Sequence, residues 1–116
     1  MKKFILSILT IFFYLITFCQ TKISIDSVSK YMGQKVTVCS KVYGVKSLEK
    51  ISFINLGANY PNSLLTIVIF ASDNTNFKEP IESLYTDKNI CVTGTLKEYN
   101  NKSEIIISKP EEITIE

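Results

Sequence analysis

The hydrophobic pattern of this chain changes character twice. From Phe4 to Phe18 every position is apolar or hydroxylic, and Lys2 and Lys3 stand ahead of the run. A short positive start, an apolar block and small residues at Thr17 and Cys19 make a secretory signal peptide over residues 1–19, cleaved before Gln20. The run falls short of the roughly 20 residues a membrane-spanning helix needs. A retained anchor is the alternative, and acylation of Cys19 to give a membrane-tethered lipoprotein is a second. Phe18 occupies the position where a lipoprotein signal usually has a small residue.

After Gln20 the apolar positions spread out. Residues 20–34 read as a lead-in with a brief helix, capped by Ser24 or Asp26, apolar at Val28, Tyr31 and Met32, and stopped by Gly33. From Lys35 the period becomes two: Val36, Val38 and Val42 lie on one face, Thr37, Cys39 and Lys41 on the other. That alternation predicts a half-buried strand to about Lys46. A second strand is expected over Ile51–Leu56. Gly57 to Ser63 is dense in turn residues. Leu64–Phe70 is a third strand, so uniformly apolar that both of its faces should be covered.

Asp73 to Asn76 reads as a polar loop. Glu79–Tyr85 reads as a short helix with Pro80 in its first turn. A fourth strand is expected over residues 89–98, a turn at Asn100-Asn101, and a fifth strand over Glu104–Ser108. Ile113 and Ile115 add a tail strand. Three strands, a helix and two strands is the order of an OB fold. The expected architecture is therefore all-β with one short helix, a five-stranded Greek-key barrel over residues 35–116. Closure needs points of strong twist, for which Gly44 and Gly94 are the candidates.

Composition narrows the chemistry. The chain contains no histidine, and its sequence contains no arginine or tryptophan. Ser-His-Asp and Cys-His catalysis and imidazole metal sites are thereby excluded. Two mature cysteines without histidine cannot close a zinc site. Asp73 to Asn76 lacks the glycine and distal glutamate of a calcium loop. No cofactor and no catalytic activity are expected. The formal charge of +2 includes Lys2 and Lys3, so the mature chain is close to neutral. A neutral domain without arginine should bind nucleic acid only modestly and in a salt-sensitive way.

Several segments carry a family likeness: Lys35 to Val45, Phe53 to Gly57, Tyr60-Pro61-Asn62, Leu65 to Phe70, and Ile90 to Gly94. In that order they resemble a bacterial family of OB-fold domains of the nucleic-acid-binding type, found as small exported proteins and as modules attached to secreted nucleases. The chain departs from it at Ser40, where a glycine is expected, and at Phe70, where a tryptophan is expected. The resemblance implies a secreted or periplasmic binding protein, with single-stranded DNA or RNA as ligand. It has no transmembrane span after processing. An exported protein partner or a saccharide is the alternative, and partnership with an exported nuclease is a third reading.

OB folds bind on the face of their second and third strands, flanked by the loops beside them. The residues matching that surface are Phe53, Asn55 and Phe70 in the strands and Tyr60 in the connection. Lys46 and Lys50 flank the first loop, and Lys97, Tyr99 and Lys102 surround the last. Aromatic platforms stack bases and lysines follow the backbone. Packing in the core is the competing role for Phe53, Phe70 and Tyr60, and a solvated surface the competing role for the lysines. Cys39 and Cys91 each follow a core valine or isoleucine, which points both away from the core. If the first and fourth strands are antiparallel neighbours, the two sulfurs oppose one another. A disulfide and two free thiols both remain open.

Overall fold

The computed structural model describes residues 21–116. The signal peptide, its cleavage point and Cys19 lie outside the described residues. Among the described residues no helix is long and apolar enough to cross a membrane.

The strands are β1 (Thr21–Ile23), β2 (Lys35–Ser47), β3 (Ile51–Leu56), β4 (Leu65–Phe70), β5 (Asn89–Thr95), β6 (Lys97–Tyr99), β7 (Lys102–Ile106) and β8 (Ile113–Ile115). One short α-helix, α1 (Ile81–Tyr85), lies between β4 and β5. Short 3-10 turns cover Ile25–Tyr31, Ala71–Asn76 and Pro110–Glu112. In space the strands run β6-β7-β4-β3-β2-β5-β8, with β1 added beside β2.

The long β2 organises the barrel. Its first half pairs antiparallel with β5, from Lys35↔Thr95 to Lys41↔Asn89. Its second half pairs antiparallel with β3, from Val42↔Leu56 to Ser47↔Ser52. The register shifts between Val42 and Gly44, leaving Tyr43 as an extra residue. A bulge of this kind bends the strand and raises its twist, which lets one strand serve two sheets. Gly44 is thus at the bend the sequence anticipates.

The second anticipated point, Gly94, sits at the seam. β5 and β7 share no ladder. A Cβ on Gly94 would lie 2.5 Å from Ile105 Cγ2, so β5 and β7 meet by packing where a hydrogen-bonded rung is missing. The core is an alternating set: Val36, Val38 and Val42 of β2, as expected, with Ile54 and Leu56 of β3, Leu65, Ile67 and Ile69 of β4, and Ile90, Val92 and Ile105 opposite; β4, expected to be covered on both faces, is open on its outer face at Phe70. Ile81 and Tyr85 of α1 join the core, and the Tyr85 ring meets Phe77 edge-on at 6.3 Å.

Several boundaries move, for traceable reasons. The fourth predicted strand breaks at Leu96, whose N–H donates to the Gln34 carbonyl while its own carbonyl accepts from Gly33. With both backbone groups diverted, β6 turns away and pairs with β7. The tip of that hairpin is Asn100-Asn101, both at positive φ (50° and 63°), as a tight two-residue turn requires. β7 begins two residues early and ends at Ile106. Just beyond it, the N–H groups of Ser108 and Lys109 donate to the Glu112 carboxylate. Glu112 is therefore a structural anchor, although its position on a charged tail reads as solvated. The Asp73–Asn76 loop is wound into a 3-10 turn. The lead-in carries a strand as well as its turn: β1 runs parallel to β2, Thr21↔Val36 to Ile23↔Val38.

Cys39 and Cys91 are direct cross-strand partners on β2 and β5 and are joined as a disulfide. Both are half-buried on the face away from the core. The next rung on that face is a hydrogen bond of 2.8 Å between the Thr37 and Thr93 hydroxyls.

Candidate binding site

Alternation along β3 sends Ile54 and Leu56 into the core and turns Phe53 and Asn55 outward. The register extends this outer face across the sheet. One transverse row reads Gly44, Asn55, Thr66, Glu104 and Lys97 on β2, β3, β4, β7 and β6 in turn. The next row reads Lys46, Phe53, Val68 and Ile106. Two loops rise beside these rows: the β3–β4 connection with Asn59 and Tyr60, and the β6–β7 hairpin with Tyr99 and Asn100. Together they enclose a groove of about 570 Å³.

Phe53 is half-buried on the groove floor. Tyr60 and Tyr99 stand out from the walls, 74% and 60% exposed. Lys102 bridges the two walls: its Nζ donates to the Pro61 carbonyl and lies 5.8 Å from the centre of the Tyr60 ring. Tyr60 precedes a cis peptide bond to Pro61. Gly44 keeps the floor low, because a Cβ there would come within 3.2 Å of Asn59 Oδ1.

The floor is polar but ordered. Asn55 is only 7% exposed, and its Oδ1 accepts a hydrogen bond of 3.2 Å from the Thr66 hydroxyl. The Ser63 hydroxyl lies 3.3 Å from that of Thr66. Burial pushes the Glu104 carboxyl above its ordinary value of 4.5, and the Lys97 ammonium beside it pulls the other way. The groove itself thus holds two ammonium groups, Lys46 and Lys102, against one carboxylate. Its field is weakly positive, in line with the near-neutral composition.

Of the nine residues singled out from the sequence, six meet in this groove: Lys46, Phe53, Asn55, Tyr60, Tyr99 and Lys102. Three lie outside it. Lys50 sits on the β2–β3 turn, beyond the groove's end. Lys97 is drawn off beside Glu104 and lines a different hollow with Lys35 and Glu112. Phe70 follows Thr66 and Val68 along the same outer face but one row past the groove, and is 41% exposed. Core packing is therefore not its role, nor that of Tyr60.

The groove also contains residues the pattern did not single out. Thr66 is the lone hydroxyl in an otherwise apolar strand, and that interruption was its signal. Ser63 and Asn100 belong to turns, where polar residues are expected without any ligand. Among the described residues, the grouping of metal-type side chains is Cys39, Cys91 and Glu116, and its sulfurs are bound to each other.

No protein-family model matches the sequence, and no curated protein matches it. Solved structures do. A chain of the S. pombe Stn1-ten1 complex superimposes with a TM-score of 0.63 at 12% identity, over 85% of this chain and 79% of that one. OBody AM1L10, bound to hen egg-white lysozyme, gives 0.58 at 13% identity, over 86% and 97%. A putative aspartyl-tRNA synthetase from Leishmania major Friedlin gives 0.58 at 17% identity, and there the chain spans only 22% of the synthetase. Identities this low carry the architecture alone, and with the strand order and bulged β2 described above they establish that this chain has the OB fold.

Proposed function

We propose that the protein is an exported, non-catalytic OB-fold module that binds single-stranded nucleic acid in the groove across β2, β3 and β4. The observation that supports this most directly is the interleaving of Phe53, Tyr60 and Tyr99 with Lys46 and Lys102 on one concave face. Flat rings accept bases of any kind, each stack contributing about 1–3 kcal/mol by alanine substitution. Lysines between them neutralise phosphates. The similarity to a tRNA synthetase chain agrees with this reading. The disulfide agrees with an oxidising compartment and hence with export.

Two lysines predict a shallow salt dependence, with log K against log salt falling at about −1.4 for a single strand. The test is a fluorescence-anisotropy titration of residues 20–116 against short single-stranded DNA and RNA at two salt concentrations. Binding that weakens with salt and is lost in Tyr60→Ala, while the melting curve is unchanged, supports the groove. No binding even at low salt overturns it.

A second reading is an exported module for a protein. Ile106 and Phe70 are exposed on the same outer face, with half-buried Ile51 opposite Phe70, and these side chains continue the groove as an apolar patch. Apolar patches of this kind mark protein contacts, and the OBody chain is bound to one. A saccharide module draws support from the amides of Asn55 and Asn59 beside two exposed tyrosines. Binding of neither DNA nor RNA would favour these readings.

A further inference from the structure

One side chain joins the two walls of the groove. The β3–β4 connection is exposed from Asn59 to Asn62 and leans on β2, where Asn59 Oδ1 lies over Gly44. Its backbone bonds are local: the Asn62 N–H donates to the Asn59 carbonyl and the Leu64 N–H to the Leu56 carbonyl. At its root the Gly57 N–H donates to the Ser40 hydroxyl. Among the described residues, the one hydrogen bond from this connection to the other wall is donated by Lys102 Nζ to the Pro61 carbonyl. Lys102 begins β7 and pairs with Tyr99 across the Asn100-Asn101 turn. The same ammonium lies 5.8 Å from the centre of the Tyr60 ring, which at 74% exposure has little else to pack on.

We infer that Lys102 is a positioning residue: it straps the β3–β4 loop to the β6–β7 hairpin and holds the Tyr60 ring at the groove before a ligand arrives. The inference rests on the nucleic-acid reading for what Tyr60 is positioned to stack, and on the fold alone for the strap itself. An ammonium has three donors, and the Pro61 carbonyl takes one. Two remain for a phosphate, so Lys102 acts directly, by its charge, and also through Tyr60. A ring already in place spares the ligand the entropy of ordering it, and that saving appears as affinity. An exposed cation–ring contact is worth a factor of about two to five in an equilibrium constant. Lys46, the other ammonium of the groove, stands beside Phe53 on β2 and takes no part in the strap.

Lys102→Met keeps the length of the side chain and removes its charge and donors. The first arm needs no nucleic acid: amide hydrogen exchange in residues 20–116, read at Asn62. Exchange there is expected to be about two- to fivefold faster in Lys102→Met than in wild type, with β2 and β3 unchanged. Lys102→Arg keeps a cation and donors and is expected to restore the slower rate. The second arm is a double-mutant cycle with Tyr60→Ala, read by anisotropy with short single-stranded DNA and RNA. The loss of affinity caused by Lys102→Met is expected to be about two- to fivefold larger with Tyr60 present than with alanine there. Lys46→Met, which removes a contact acting by charge alone, is expected to cost the same on both backgrounds.

Unchanged exchange at Asn62 in Lys102→Met overturns the strap, whatever the protein binds. Faster exchange with equal losses on both Tyr60 backgrounds overturns the positioning role while leaving nucleic-acid binding in place. Binding of neither DNA nor RNA overturns the nucleic-acid reading and the positioning role with it, and exchange at Asn62 still judges the strap.

Discussion

The seam between β5 and β7 gives the sharpest test of the architecture. Gly94 is buried, and a methyl group placed on it would come 2.5 Å from Ile105 Cγ2 and 3.8 Å from Ile105 Cβ. Carbon atoms in contact rest at about 3.5–4.0 Å, so Gly94→Ala forces a displacement of roughly 1 Å. Ile105 cannot step aside easily: it has no exposed surface, and a β-branched side chain is stiff at χ1. Overpacking of this kind costs about 1–3 kcal/mol. Removing a glycine from the unfolded chain returns about 0.4–1 kcal/mol. The expected net loss is about 1–2 kcal/mol, or roughly 4–16 °C in Tm for a domain of this size.

Urea unfolding followed by circular dichroism measures it, with the slope m unchanged. A double-mutant cycle identifies the cause. Ile105→Ala removes the opposing methyl and by itself costs about 2–5 kcal/mol. On that background Gly94→Ala should cost nearly nothing, giving a coupling of about 1 kcal/mol or more. A neutral Gly94→Ala, or one equally costly on both backgrounds, would refute the close approach of the two strands and leave the barrel open at this seam.

Other outcomes follow from the same structure. Cys39 and Cys91 are separated by 52 residues, and replacing both with alanine should lower stability by about 4 kcal/mol on the chain-entropy model, read as a lower urea midpoint that reductant no longer shifts. Phe53→Ala should weaken binding of single-stranded DNA by about 1–3 kcal/mol, measured by anisotropy, whereas Phe70→Ala outside the groove should weaken it less. Glu104 has a raised pKa in the folded protein, chiefly through burial, so the folded state holds that proton more tightly than the unfolded chain. Its contribution to stability is then best at acid pH and is lost as pH rises through the raised value. Glu104→Gln should accordingly have a higher urea midpoint than wild type near neutral pH, the difference shrinking on acidification; a constant difference would argue against the assignment.

Much of the fold is legible in local pattern because strand periodicity is local chemistry. Val36, Val38 and Val42 alternate with polar neighbours, and only one face of such a strand can be buried. Ile51–Leu56 and the Asn100-Asn101 turn are readable for similar reasons, the turn because asparagine tolerates positive φ. The direction in which Cys39 and Cys91 point follows from the same parity. Where backbone groups find partners far away in sequence, the pattern is silent. Leu96 looks like the continuation of a strand, yet its N–H and carbonyl go to Gln34 and Gly33, and the chain turns there. Glu112 looks like a solvated acid but holds the backbone at Ser108 and Lys109.

The site divides along the same line. Residue type and the expected OB-fold surface made Phe53, Asn55, Tyr60, Tyr99 and the lysines candidates, with core packing left open for Phe53. Register alone decided that Lys46 stands beside Phe53 while Phe70 falls one row beyond the groove. It also set Lys97 against Glu104. Thr66 became part of the site only when β3 and β4 were paired, which placed its hydroxyl on Asn55. The sequence by itself determined which face of an alternating strand such as β2 is wet and which is dry, because burial depends on each residue's own transfer from water. Tertiary structure decided who meets whom on the wet face, because that depends on registers, a bulge at Tyr43 and two loops brought together across the sheet.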